Sequence, residues 1–172
     1  MWFFIKIIDV IGYSGSGKTY FISTAIKYLK KELNLNISVI KNVKHHRIDD
    51  QGKDSYNFTK AGASYSIIKN EDNEAAIFVN INNLNFNRII EWLQKGPYEL
   101  DLVFTEGFRN FKHPTILCVN KLEEIKPQLN KYVKMVSGMI CQNQIDSDNF
   151  TELPIVNIET SFRQFLEIFK IK

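Results

Sequence analysis

Cysteine is scarce: the chain has 2, Cys118 and Cys141, both in apolar surroundings and without C-x-x-C spacing. Neither a disulfide framework nor a thiolate metal site is expected from them, and reduced core thiols in a reducing cytoplasm are. No apolar run approaches the ~18 uninterrupted residues of a membrane-crossing helix, so no membrane partner is expected. The apolar opening, Met1 to Ile11, is broken by Lys6 and Asp9 and lacks a small-residue cleavage site. It therefore reads as a buried strand, not a secretory leader. Dense Lys/Arg runs are also missing: 22 basic and 19 acidic side chains are spread along the chain, for a formal charge of +3. That layout lacks the electrostatic footprint of a dedicated nucleic-acid binder. Repeats, linkers and internal boundaries are not evident, and the expectation is a single domain over residues 1–172.

The rest is globular in character. At 44% hydrophobic and 24% charged residues, the chain can bury a core without staples. Residues 3–11 are mostly apolar and β-branched, and Gly12 to Gly17 then break the pattern. A helical period follows at Phe21, Ile22, Ala25, Ile26, Leu29 and Leu33. Further strands are predicted at 37–43, 65–69, 75–81, 100–104, 115–119, 132–137 and 154–158. Helices are predicted through 54–61, after the Asn-rich stretch 80–87, and at 121–130 and 160–170. The turn Asn70-Glu71-Asp72-Asn73 makes 65–81 a hairpin, whose antiparallel strands are expected to join the sheet. Alternating strands and helices predict an α/β three-layer sandwich with a mostly parallel sheet.

Gly12-Tyr13-Ser14-Gly15-Ser16-Gly17-Lys18-Thr19 matches the phosphate-binding pattern G-x-x-x-x-G-K-[ST], and it lies between a predicted strand and a predicted helix. That context makes it a P-loop NTPase signature. Converging amide N–H groups on one anion demands backbone angles and close approaches that a Cβ obstructs, hence the glycines. The following helix directs the positive end of its dipole at the same anion. Lys18 is expected on the β- and γ-phosphates of a purine nucleoside triphosphate, and Thr19 on Mg²⁺. Ser14 and Ser16 offer further hydroxyls.

Asp101 and Glu106 bracket the apolar run Leu102-Val103-Phe104 and stand ~16 Å apart along an extended chain, so only one can face the phosphates. In a parallel sheet the ligand side is the carboxyl end, which selects Glu106 as the acid on the Mg²⁺ side and leaves Asp101 a structural role. Gly107 then lets the backbone pass close to the terminal phosphate. The polar segment Lys44 to Tyr56 follows the neighbouring strand, at the end where ligand loops gather. Adjacent His45 and His46 lack the spacing of a zinc site, and the segment reads either as a solvated loop or as an anion or substrate contact.

The P-loop, Val39-Ile40-Lys41, Lys44-His45-His46, Gly52-Lys53-Asp54-Ser55-Tyr56, Lys60-Ala61-Gly62-Ala63 and Asp101 through Glu106-Gly107-Phe108 together resemble molybdopterin-guanine dinucleotide biosynthesis protein B (MobB). The resemblance covers residues 5–112, and the GKDSY and KAGA segments are more specific than the P-loop alone. It implies a homodimeric, cytoplasmic GTP-binding adaptor with weak GTPase activity. Such an adaptor assists the guanylyltransferase, of MobA type, that joins GMP to molybdopterin in making molybdenum cofactor. Lys18 and Glu106 would serve the phosphate and Mg²⁺ end, while His45, His46, Asp49, Lys53 and Asp54 would face phosphate, pterin cofactor or partner. Asn120-Lys121-Leu122-Glu123 is similar to the guanine-reading N-K-x-D of GTPases with Glu for Asp, and reads equally as a helix start. Family members often carry an acid just after the strand matching 132–137, where this chain has Gly138.

The rival reading is a small-metabolite kinase on the same loop. Kinases bring an Arg-bearing lid over the phosphates, and the arginines here are only Arg47, Arg88, Arg109 and Arg163. Arg47 and Arg109 fall near the expected site, yet no arginine finger or water-orienting Gln stands out. An interaction protein with an inert loop is a third possibility. Asp9, a carboxylate inside an apolar strand, has no explanation in the sequence.

Overall fold

The computed structural model describes residues 5–44, 47–72, 74–79, 85–142 and 152–172. They group into two compact units, one of Met1–Asn42 with Pro97–Lys172 and one of Val43–Gly96. In chain order the elements begin with β1 (Lys6–Ile11), α1 (Lys18–Leu33) and β2 (Ile37–Lys41). The second unit contributes α2 (Asp54–Lys60), β3 (Tyr65–Lys69), β4 (Ala75–Val79) and α3 (Phe86–Gln94). The chain then returns to the first unit with β5 (Leu102–Glu106), β6 (Thr115–Cys118), β7 (Val133–Ser137) and α4 (Phe162–Phe169).

The first unit is built on a five-stranded sheet of order β2-β5-β1-β6-β7, and every pairing in it is parallel. On one face, Ile8 and Val10 of β1, Leu102 and Phe104 of β5, and Ile116 and Cys118 of β6 meet Phe21, Ala25 and Leu29 of α1. The spacing of those α1 positions puts them on one stripe of the helix. Phe165 and Phe169 of α4 close the same core, with Phe165 edge-on to Phe21 at 5.9 Å between ring centroids. Asn34 ends α1 in a left-handed conformation, its N–H returning to the Lys30 carbonyl at 3.1 Å. On the opposite face Ile11, Leu117, Val119, Val133 and Val136 pack with Ile125 and Ile140. No helix among the described residues is long and apolar enough to cross a membrane.

Three expectations change. The helix expected at 121–130 is two short 3₁₀ turns, Leu122–Glu124 and Lys126–Gln128. Pro127 sits inside that stretch, has no N–H to donate and crowds the preceding turn, so a continuous α-helix cannot run through it. The strand expected at 154–158 reduces to one parallel bridge, Val136 to Ile155. Pro154 cannot donate to a ladder, and the Val156 carbonyl also receives the Ser137 hydroxyl at 2.7 Å. The hairpin forms, with Ile67 opposite Ile77, but as a separate two-stranded sheet and not as an addition to the parallel one.

In the second unit Asn85 begins α3, its side-chain oxygen accepting the Arg88 N–H at 3.1 Å. That agrees with the capping role expected of the Asn-rich stretch, of which residues 80–84 lie outside the described residues. The hairpin leaves Tyr65, Ile67 and Ile77 exposed, Ile67 at 63%.

Because Phe165 is fully buried between α1 and the sheet, Phe165→Ala is expected to lower unfolding free energy by about 3–5 kcal/mol. Urea denaturation followed by circular dichroism measures it; a loss below about 1 kcal/mol would mean α4 is not part of the cooperative core.

Candidate functional site

The residues 12–17 join the carboxyl end of β1 to the amino end of α1, and their geometry depends on glycine. Gly12, Gly15 and Gly17 all have positive φ, at 152°, 76° and 87°. A Cβ on Gly12 would lie 2.2 Å from the Cys118 carbonyl oxygen, so the loop's start has no room for a side chain. The first amides of α1 have no intrahelical acceptor and point toward the loop's centre. Tyr13 and Ser14 are exposed, whereas Ser16 is fully buried. The Ser16 hydroxyl lies beneath Gly12 and has no hydrogen-bond partner among the described residues, so its side chain packs inside the loop.

Lys18 folds back along the loop, its ammonium donating to the Tyr13 carbonyl at 2.7 Å and the Gly12 carbonyl at 3.2 Å. Burial pushes its pKa below the usual lysine range, with nearby Arg109 and Lys41 acting the same way and Glu106 opposing. Glu106 ends β5 and is 6% exposed. Parallel pairing sets it beside Val10 of β1 and Lys41 of β2. Thr19 donates its hydroxyl to the Glu106 carboxylate at 3.1 and 3.2 Å, and the Lys41 ammonium lies 3.2 Å from the same carboxylate. The expected members Lys18, Thr19 and Glu106 therefore converge at the loop. A hydroxyl next to a buried carboxylate is a hard-oxygen pair that could hold Mg²⁺. Asp101 accepts the Asn36 amide at 2.7 Å and holds the turn before β2.

Two further site members take roles that the sequence did not assign. The signal for Lys41 is position: a lysine at the ligand end of the strand beside the acid-bearing strand. Gly138, after β7, stands where family members often carry an acid, and its neighbour across the fold is distant in sequence. Its φ is 98°, and a Cβ there would lie 2.3 Å from the Ser16 carbonyl oxygen and 2.9 Å from the Val119 nitrogen. Met139 donates its N–H to that Ser16 carbonyl at 3.2 Å. The turn after β7 thus braces the phosphate loop from below, and no side chain, acidic or otherwise, fits at 138.

Asp9 gains a role. It is buried, accepts the Thr105 hydroxyl at 2.6 Å, and its Oδ1 lies 3.2 Å from His113 Nδ1. It ties the segment that follows β5 to the centre of the sheet.

The Asn120-Lys121-Leu122-Glu123 segment opens a 3₁₀ turn: Glu124 reaches back to accept the Asn120 backbone N–H at 2.9 Å. Glu123 is exposed and lines a cleft of about 570 Å³ with Leu122, Ile125 and Leu129. In the second unit, Asp49 accepts the Ser55 hydroxyl at 2.8 Å and Lys53 pairs with Asp50 at 2.7 Å. Asp54 begins α2. His45 and His46 lie outside the described residues.

Gly138→Ala is expected to cost at least about 2 kcal/mol, from left-handed backbone strain and the clash with Ser16. Urea denaturation reads that loss, and triphosphate affinity should fall with it because the loop must shift. A neutral substitution would show that the turn does not brace the loop.

Comparison with known proteins follows the same outline. The family model for molybdopterin guanine dinucleotide synthesis protein B, MobB, matches residues 7–141. A molybdopterin-guanine dinucleotide biosynthesis adapter protein of Haemophilus influenzae is 31% identical over 136 residues, covering 77% of this chain and 74% of that protein. A putative adapter protein of the same description from Methanocaldococcus jannaschii is 32% identical over 106 residues, 61% of this chain and 42% of the relative. The crystal structure of Bacillus subtilis MobB superposes with a TM-score of 0.73 at 22% identity, covering 98% and 99% of the two chains. A MobB homolog from Bacillus stearothermophilus gives 0.65 at 17% identity, over 96% and 99%. These structures share the P-loop α/β fold, and with the family model spanning most of its length the chain belongs to the MobB family.

Proposed function

We propose that the chain is a GTP-binding adaptor in molybdopterin guanine dinucleotide biosynthesis, acting in the cytoplasm and assisting the guanylyltransferase that joins GMP to molybdopterin. The observation that carries this reading is the meeting of Lys18, the Thr19 hydroxyl and the buried Glu106 carboxylate at the glycine loop. That set offers a polyphosphate what it needs: main-chain donors, an ammonium and oxygen ligands for Mg²⁺. When bound, Mg²⁺ would be held by Thr19 and Glu106 and would offset phosphate charge. Guanine preference follows from the family's guanine dinucleotide product and not from a base-reading side chain.

Hydrolysis is expected to be slow. The residue two beyond Glu106 is Phe108, whose ring has no hydrogen-bonding group to orient an attacking water as a Gln would. The chain's service to its partner is then binding and presentation of nucleotide, with catalysis left to the transferase. Contact of His45, His46, Asp49, Lys53 and Asp54 with pterin or partner is part of the same proposal and rests on family likeness.

A homodimer fits the second unit. Its two-stranded sheet presents Tyr65, Ile67 and Ile77 to solvent, and an isolated hairpin is weakly stable until an apolar face is covered. A second copy would cover it.

Calorimetric titration tests the nucleotide assignment. GTP should bind in the presence of Mg²⁺ and more tightly than ATP, and Lys18→Ala should abolish binding while the far-ultraviolet circular dichroism is unchanged. Unchanged affinity in that variant would remove the site, and rapid phosphate transfer to a small acceptor would favour a kinase. For self-association, sedimentation should show a dimer that Ile67→Lys with Ile77→Lys converts to monomer; a monomeric wild-type protein at micromolar concentration would end that proposal.

A further inference from the structure

Among the described residues, Arg109 is a cation at the site whose charge has no assigned use. It lies just beyond Glu106 and Gly107, on the segment that leaves the ligand end of β5 and crosses toward β1. Gly107 donates its N–H to the Val10 carbonyl at 3.1 Å, and Asp9 receives the far end of the segment through His113. Phe108 stacks on Phe111 with ring centroids 4.7 Å apart. The segment is therefore pinned on both sides of Arg109 and stiffened between the pins.

The Arg109 guanidinium itself sits over the Tyr13 ring, 5.3 Å from its centroid, and Nη2 donates to the Gln128 side-chain oxygen at 2.8 Å. Gln128 is 5% exposed and its own amide donates to the Glu124 carbonyl at 2.9 Å. Its oxygen is thereby held toward Arg109. Among the described residues no carboxylate pairs with this guanidinium, whereas Lys41 is paired with Glu106. A guanidinium has five N–H donors, and a stacked ring with one neutral amide leaves most of them for a ligand.

We infer that Arg109 is a built-in cation for the terminal phosphate of the bound nucleotide, and that it sets the preference for triphosphate over diphosphate. The direction of approach decides which phosphate it serves. Glu106 and Thr19 would form the metal side of the cradle, and the segment that leaves Glu106 carries Arg109 over the exposed Tyr13 ring of the loop. The loop's amides enclose the inner phosphates and Lys18 bridges β and γ, so a second cation over Tyr13 adds charge for the group that only a triphosphate carries.

This rests on the nucleotide assignment above, and the test separates the two. Calorimetry with Mg²⁺ would compare guanosine 5′-[β,γ-imido]triphosphate with GDP on the wild-type full chain, Arg109→Ala, Arg109→Lys and Lys18→Ala. Arg109→Ala should weaken the triphosphate analogue about tenfold or more while leaving GDP affinity within about twofold. Arg109→Lys should recover part of the loss, since charge returns without the bidentate fork. Lys18→Ala should lose both ligands. Equal losses for both ligands in Arg109→Ala, or no loss for either, overturns the inference alone. Wild-type protein that binds neither ligand overturns it together with the nucleotide assignment.

Discussion

The pairing of β1 with β5 is the constraint from which the site follows. Both strands run in the same direction, and their register sets Val10 opposite Glu106. The phosphate loop leaves β1 one residue beyond Ile11, so the acid and the loop emerge side by side at one end of the sheet. Parallel pairing of β5 with β2 adds Lys41 at the same level. A slip of one residue would turn Glu106 to the other face of the sheet, separating it from the Thr19 hydroxyl. The fully buried Val103 and Phe104 beside it make such a slip costly, because each would exchange its core face for the other. Core packing and site geometry are therefore set by the same register.

Rigidity of the loop has a separate origin. Glycine permits the loop's shape but does not enforce it, since its backbone freedom also favours the unfolded chain. Enforcement comes from tight contact on the underside: the Cys118 carbonyl against Gly12 and the Gly138–Met139 turn against Ser16. The neighbouring strands β6 and β7 thus act on the phosphate cradle without contributing a ligand to it. Burying the Ser16 hydroxyl with no partner among the described residues carries a desolvation cost, which accompanies a closed floor to the loop.

How much could be read in advance follows from how far apart the cooperating residues lie. The cradle was legible because its parts are adjacent: Gly12 to Thr19 carries glycines, ammonium and hydroxyl at fixed spacing. Glu106 was legible through one step of topology, the rule that ligands gather at the carboxyl ends of parallel strands. The bracing role of Gly138 and the contact of Gln128 were not, because each acts on a residue reached only through the crossovers between β1, β6 and β7. The helix expected at 121–130 failed on Pro127, whose local veto outweighs an apolar period. The hairpin's strands were recognisable by alternation, yet alternation says nothing about which sheet a strand joins. Asp9 made no sense alone; it required Thr105 from a neighbouring strand and His113 from the segment after it.

Charge placement around the loop gives a reason for the unusual seat of Arg109. A cation destined for phosphate can be parked against a carboxylate, but that pair must be broken when the ligand arrives, and the freed carboxylate then repels the incoming charge. Parking it on an aromatic ring and a neutral amide avoids both penalties. The cation–π contact with Tyr13 is worth only about 0.5–1 kcal/mol at an exposed site, enough to orient the guanidinium and too little to hold it from a phosphate. Lys41 shows the contrasting solution, since its pairing with Glu106 keeps that buried carboxylate compensated, as a bound Mg²⁺ would. The site therefore keeps one cation committed to the acid and one uncommitted at the lip, an arrangement suited to distinguishing how many phosphates a ligand carries.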